Sequence, residues 1–170
     1  MASQLLLLLF VANAFGVAFF VLALYRPNTA RIVAGGGFIA SSLVNATLAL
    51  LDPQIYVKGL GPHAVGLYKD LIYGALGQAP GRLILALAVW QLIVAATILV
   101  NVTEYVRLGC VAAALFLIGI SPLGVGCGFP SNLILAGGLV ALIRLRWPLG
   151  ARTRIEVCGG LPRSCGCLCR

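Results

Sequence analysis

Long apolar runs that contain no Asp, Glu, Lys, Arg or His constrain this chain more than any other feature. They cover residues 1–25, 32–51, 83–100 and 108–125, and a shorter fifth run covers 133–143. A helix needs about 20 mostly apolar residues to cross the hydrocarbon core of a bilayer. The runs therefore predict an all-α, polytopic transmembrane helical bundle.

The composition agrees with a membrane protein. Of the 170 residues, 61% are hydrophobic and only 9% are charged, whereas a soluble domain carries about 25% charged residues. A soluble fold of this size keeps much of its surface in water, so it could not hide this much apolar area. We therefore expect one transmembrane domain over 1–148, followed by a disordered tail rich in Arg and Cys over 149–170.

Five spans are predicted, arranged as a four-helix core with a leading helix. They cover residues 3–25, 32–51, 83–101, 107–125 and 131–147. The last two are separated because one helix over 108–145 would be about 57 Å long, and because Pro122 and Pro130 favour a break. The fifth span is short, so a re-entrant segment is the alternative. The first run resembles a signal peptide, but no basic residue precedes it, which favours a retained span.

The segment between the second and third spans predicts a short interfacial helix over 62–77. Asp52 and Pro53 end the second helix, and Pro62 suits the first position of the next. Apolar side chains then recur at helical spacing, at Val65, Tyr68, Ile72 and Leu76. Such a helix would lie in the membrane interface or fold back against the bundle.

The positive charges predict the orientation. The net charge is +8, and the cations cluster at the ends of the apolar runs, which indicates contact with the lipid bilayer rather than with nucleic acid. On the C-terminal side of the five-span topology lie Arg26, Arg31, Arg107, Arg144, Arg146, Arg152, Arg154, Arg163 and Arg170, and on the other side lie Lys58, Lys69 and Arg82. The positive-inside rule then places the C-terminus in the cytoplasm and the N-terminus outside.

Small residues four positions apart occur in the second span. Gly36 pairs with Ala40 and Gly37 pairs with Ser41, and such pairs let another helix approach closely. Packing against another helix, other subunits or a second copy is one interpretation of this face, and simple helix flexibility is the other.

Four cysteines of the tail are the only candidates for a metal site, namely Cys158, Cys165, Cys167 and Cys169. Zinc sites favour cysteine pairs separated by two to four residues, and this spacing does not match, so we predict no metal. A disordered tail, palmitoylation, and metal or redox chemistry remain the three interpretations.

No catalytic residue or cofactor is predicted. The four acidic residues lie outside the spans, His63 is the only histidine, and no nucleophile has a partner base. Pumps and ion carriers usually need ionisable groups inside the membrane, and the apolar runs contain no Asp, Glu, Lys, Arg or His. The deepest polar side chains are Asn45 and Gln91. They hydrogen-bond across helices or, with Trp90, line a pocket for a small molecule.

Residues 31–144 resemble the DoxX-like group of small membrane proteins. The likeness lies in the glycine-rich opening Arg31-Ile32-Val33-Ala34-Gly35-Gly36-Gly37, the loop Asp52-Pro53-Gln54-Ile55-Tyr56, and the segment Phe129-Pro130-Ser131-Asn132-Leu133. The resemblance implies a four-helix core with an extra leading helix. Some members of the group are linked to quinone-dependent sulfur oxidation or to oxidoreductase complexes, but no catalytic motif of theirs maps onto residues of this chain.

Three functions are consistent with these features. The first is a structural or accessory membrane subunit of DoxX-like type. The second is an oxidoreductase subunit that handles a quinone or another lipid-soluble substrate, which requires a cavity near Asn45, Gln91 or Trp90 that opens towards His63, Tyr68 or Tyr73. The third is a transporter of a small uncharged solute.

Overall fold

The computed structural model describes residues 2–64, 66–123 and 129–144, and every regular element in these ranges is helical. The α-helices there are α1 (Ala2–Tyr25), α2 (Pro27–Leu51), α3 (Gln54–Leu60), α4 (Leu67–Leu71), α5 (Pro80–Leu99), α6 (Thr103–Ile120) and α7 (Ser131–Arg144). Single 3₁₀ turns cover Gly61–His63 and Ser121–Leu123, and a π-turn covers Ile72–Leu76. The predicted all-α helical bundle is confirmed. The predicted tail over 149–170 lies outside the described residues.

Three segments are long and apolar enough to cross a bilayer. They are α2, α5, and α6 together with the turn that follows it, over Thr103–Leu123, and they match the spans predicted over 32–51, 83–101 and 107–125. Two shorter apolar helices, Leu9–Tyr25 within α1 and Ser131–Arg144, match the predicted first and fifth spans. Within the described residues, the long apolar segments thus support three of the five predicted spans.

The five long helices form a closed ring in which each packs against two neighbours. The order around the ring is α1, α2, α5, α6, α7 and back to α1. Sequential helices run antiparallel, because short connections join α1 to α2 and α5 to α6. The fifth contact, between α7 and α1, is parallel, since Gly16 lies near Ser131 and Gly137 lies near Phe20.

Proline sets the start of two ring helices. Pro27 and Pro80 each occupy the first turn of their helix, where a missing backbone N–H costs nothing. The gap that the predicted spans leave between residues 25 and 32 is therefore not a loop, because only Arg26 separates α1 from α2. Likewise, the third span begins at Pro80 rather than at residue 83.

At one end of the ring the helices are in close contact, and we call this region the packed end. Its fully buried side chains are Ala30, Ile98, Val106, Cys110 and Leu142. Glycine makes the close approach of α6 to α5 possible. A methyl group added at Gly109 would lie 3.0 Å from the backbone nitrogen of Ile98, which is too close for an ordinary contact.

Arg31 stabilises the packed end from inside the ring. Instead of standing in a connection between helices, as the sequence predicted, it lies in the first turns of α2 and is only 8% exposed. Its guanidinium donates to the backbone oxygen of Val100 at 3.3 Å and to Oδ1 of Asn101 at 3.0 Å. The side chain therefore ties α2 to the connection between α5 and α6.

The segment predicted as one interfacial helix over 62–77 is divided instead. Helix α3 begins earlier, at Gln54, and the chain is extended at Ala64 before Gly66 adopts φ +52°. Glycine reaches this backbone region without steric cost, so the helix breaks there. Helix α4 and the π-turn then lead back towards α5, and the segment folds against the ring.

Candidate ligand-binding cavity

A cavity of about 920 Å³ lies inside the ring, at the end opposite to the packed end. Side chains from all five ring helices line it, and α3, α4 and the π-turn contribute further wall residues, including Leu60, Leu71 and Ile72. We call this region the hollow end. Its volume falls in the range typical of small-molecule sites, roughly 300–1,000 Å³.

The wall of the cavity is mostly aliphatic and aromatic. Among the described residues, six polar side chains line it, namely Ser41, Asn45, Tyr56, Tyr68, Gln91 and Asn132, and no Asp, Glu, Lys, Arg or His does. An apolar wall with a few polar groups is the usual composition of a site for a small organic molecule.

Three of the polar groups form a chain of hydrogen bonds that links three helices. The hydroxyl of Tyr56 donates to Oδ1 of Asn45 at 2.5 Å, and Nδ2 of Asn45 donates to Oε1 of Gln91 at 2.7 Å. The chain thus runs from α3 through α2 to α5. Because each bond has a defined donor and acceptor, this series of hydrogen bonds determines which amide atoms of Asn45 and Gln91 remain available to other partners.

Gln91 is the last residue in this series of hydrogen bonds, and its NH₂ group can still donate. The residue is only 3% exposed, and its carbonyl oxygen accepts the bond from Asn45. Within the described part of the protein, its Nε2 group makes no hydrogen bond. Because Nε2 is not enclosed by protein atoms but faces the cavity, the wall contains a donor that a bound molecule can satisfy.

Two further hydrogen bonds hold the wall in place. The hydroxyl of Tyr68 donates to the backbone oxygen of Gly119 at 2.8 Å, which attaches α4 to the end of α6. Ser42 donates to the backbone oxygen of Ala88 at 2.7 Å, next to the cavity, and this bond joins α2 to α5. Hydrogen bonds therefore hold the cavity wall in place on two sides.

The structure separates the three pocket candidates chosen from the sequence. Asn45 and Gln91 line the cavity and bond to each other. Trp90 does not line it, and its ring packs against Phe116 with the centroids 5.0 Å apart. Successive helical residues point about 100° apart, and the rotation of α5 directs Gln91 into the cavity and Trp90 towards Phe116.

Of the residues predicted around the mouth of a cavity, Tyr68 lines it and Tyr73 does not. The side chain of His63 lies outside the described residues. Tyr56 is not among the predicted pocket residues, because the sequence predicts a loop after Pro53 and not helix α3. The adjacent sequence Asp52-Pro53 was the available signal, since it predicts a sharp turn that returns the following residues towards α2.

The small residues of α2 have two different environments. Gly37, Ala40 and Ser41 line the cavity, whereas Gly36 does not. A methyl group added at Gly36 or at Gly37 would meet no other atom within 4 Å. The predicted close packing of another helix on this face therefore does not occur within the described chain, and the glycine that does approach a neighbour is Gly35, against Leu99.

No group of three His, Cys, Asp or Glu side chains that could hold a metal ion occurs within residues 2–64, 66–123 and 129–144. The four candidates in the tail, Cys158, Cys165, Cys167 and Cys169, lie outside these ranges. Cys110 is buried at the packed end, away from the cavity. The chemistry that the cavity wall offers is thus hydrogen bonding and apolar contact.

Comparison with known proteins identifies no relative of this chain. No family model matches the sequence, and no curated protein or solved structure matches it either.

Proposed function

We propose that this chain is a small integral membrane protein of DoxX-like type that holds a lipid-soluble molecule in the cavity of its hollow end. The observation that carries the proposal is the cavity itself, which is large, apolar and supplied with a buried hydrogen-bonding group. A scaffold with no ligand would gain van der Waals contacts by closing this space. The polar chain between Tyr56, Asn45 and Gln91 would then be unnecessary.

The proposal includes five spans, with α1 and α7 added to α2, α5 and α6. Helices α1 and α7 complete the ring, and without them the cavity would lose one side. Large apolar side chains are also exposed on the outer surface, for example Phe10 of α1, Leu50 of α2 and Leu115 of α6. Such a surface suits hydrocarbon and is unfavourable in water.

In the proposed orientation the packed end faces the cytoplasm and the hollow end faces the outside. Arg26, Arg31 and Arg107 lie at or near helix termini of the packed end, while Lys58 and Arg82 lie at the hollow end. This distribution agrees with the positive-inside rule. An impermeant thiol reagent added to intact cells should label Lys69→Cys but not Arg107→Cys in a chain that is otherwise free of cysteine, and the reverse pattern would contradict the orientation.

Photo-crosslinking of the full chain in nanodiscs tests the cavity. A heptadecane probe that carries a diazirine should label lining residues such as Leu135 and Leu139, besides the outer surface. Gly37→Leu places a side chain in the cavity and should reduce labelling of the lining residues several-fold.

Gly36→Leu is the matched control, because it adds the same side chain to the same helix at a position with equal free space outside the cavity. Both substitutions raise helix propensity equally. Equal labelling of the cavity wall in the two variants would contradict the proposal.

A further inference from the structure

We propose that the ligand of the hollow end is uncharged and carries a carbonyl oxygen, which accepts a hydrogen bond from Nε2 of Gln91. This inference rests on the proposed function and specifies the chemical class that the cavity selects. It follows from the direction of the hydrogen bonds, from the lack of charge in the wall and from the depth of Gln91.

The direction of the hydrogen bonds favours an acceptor on the ligand. The amide oxygens of Asn45 and Gln91 each already accept one bond, from Tyr56 and from Asn45 respectively. Within the described residues, the NH₂ group of Gln91 makes no hydrogen bond, and this group can only donate. A ligand that offers an acceptor satisfies this buried donor, whereas a pure hydrocarbon leaves it unsatisfied at a cost in affinity.

The wall requires that this acceptor be uncharged. No cationic side chain is among the described residues that line the cavity. Burying a carboxylate or phosphate without a cationic partner costs far more than one amide hydrogen bond returns. Ketone, ester and related carbonyl oxygens are strong neutral acceptors, so they fit the site.

The depth of Gln91 distinguishes between two sources of a carbonyl. Gln91 lies near the middle of α5 (Pro80–Leu99), and in a spanning helix that position is close to the centre of the bilayer. The ester carbonyls of phospholipids lie at the interface, about half a hydrocarbon thickness away. The site therefore favours a free lipophilic molecule, whose carbonyl can enter the bundle, over a lipid of the surrounding bilayer.

The aromatic side chains of the wall leave room for the apolar part of such a molecule. Phe19, Phe38 and Phe116 border the cavity from α1, α2 and α6. They provide apolar ring surface in the wall of the same cavity as Gln91. The ligand is thus expected to place its carbonyl at Gln91 and its hydrocarbon against these rings.

Competition between two photo-crosslinking probes tests the inference. The probes are a diazirine derivative of 2-heptadecanone and the matched heptadecane derivative, added to the full chain in nanodiscs of ether-linked phospholipid, which contain no ester carbonyl. We expect the ketone to label the lining residues about three- to tenfold more strongly than the hydrocarbon, as one net hydrogen bond implies.

The variant Gln91→Leu should abolish this preference while labelling by the hydrocarbon persists. Gln78→Leu is the matched control, because Gln78 is exposed and does not line the cavity, and it should keep the preference. Should Gln91→Leu fail to fold, the ratio of the two probes in the unchanged protein still decides the question.

Three outcomes would overturn parts of the account, and they are distinguishable. Equal labelling by ketone and hydrocarbon would contradict the carbonyl ligand but leave the cavity proposal intact. Failure of both probes to label the lining residues would contradict the proposed function itself. A ketone preference that disappears in ester-linked phospholipid would show that bilayer lipid supplies the carbonyl, which would contradict the free ligand.

Discussion

The packed end and the hollow end of the ring are built from the same helices but differ in how closely those helices approach one another. At the packed end the inward positions include Ala30, Gly109 and Cys110, and the backbones approach closely. At the hollow end small residues such as Gly37 and Ala40 face the cavity instead of a neighbouring helix, and the segment from α3 to the π-turn forms part of the cavity wall. Small residues thus bring helix backbones together where a neighbouring helix faces them, and they leave space where none does.

The two ends also differ in the hydrogen bonds that their polar side chains make. At the packed end the guanidinium of Arg31 is anchored by carbonyl oxygens of the connection after α5. At the hollow end the NH₂ group of Gln91 makes no hydrogen bond within the described residues. A polar group that already has its partners stabilises the fold, whereas one with donors to spare is available to a ligand.

The largest effect is expected from adding a side chain at the packed end. Gly109→Leu would force α6 away from the backbone of Ile98, and overpacking of this kind costs about 3 kcal/mol. Unfolding of the purified protein by titration with sodium dodecyl sulfate measures this loss.

Gly119→Leu is the control for this prediction, since it adds the same side chain to the same helix at the hollow end. An added carbon there would meet no atom within 4 Å, so we expect a change below about 1 kcal/mol. Equal destabilisation by the two substitutions would show that the two ends are packed alike.

A smaller effect is expected from removing the anchor of the packed end. Arg31→Met keeps much of the apolar stem but loses the bonds to Val100 and Asn101, and a hydrogen bond from a charged group contributes about 1.5–3 kcal/mol. We expect the free energy of unfolding in the same titration to fall by about 1.5 kcal/mol.

The partner of Arg31 supplies the comparison. Asn101→Ala should cost less than Arg31→Met, because the bond to the backbone of Val100 remains. The double variant should lose less stability than the sum of the two single losses, since both substitutions remove the same bond. Full additivity would mean that Arg31 and Asn101 do not interact in the membrane.

The sequence predicted the regular parts of both ends and missed the irregular ones. Uncharged apolar runs determine helices with little help from tertiary structure, so most helix ends were within a few residues of their true positions. The burial of Arg31 and the break at Gly66 were not predictable from periodicity, because both depend on contacts between distant segments. Asn45 and Gln91 were chosen for their depth, whereas the exclusion of Trp90 depends on the rotation of α5, which the sequence does not specify.

The smallest effect on stability, and the sharpest test of the hollow end, is expected from Tyr56→Phe. This substitution removes one hydroxyl and with it the bond to Asn45, and a side-chain hydrogen bond between membrane helices contributes only about 0.6 kcal/mol on average. The larger consequence is directional. Without the donor from Tyr56, the amide of Asn45 is free to rotate and no longer holds the carbonyl oxygen of Gln91. The preference for the ketone probe should therefore decrease, while labelling of the cavity by the hydrocarbon probe stays the same.

Tyr73→Phe is the matched control for this prediction, because Tyr73 is exposed and lies outside the cavity wall. It should leave both the preference and the stability unchanged. If Tyr56→Phe instead reduced labelling by both probes equally, the hydroxyl would serve to shape the cavity rather than to orient the amides. The hollow end would then select its ligand by volume alone, and its difference from the packed end would be one of packing and not of hydrogen bonding.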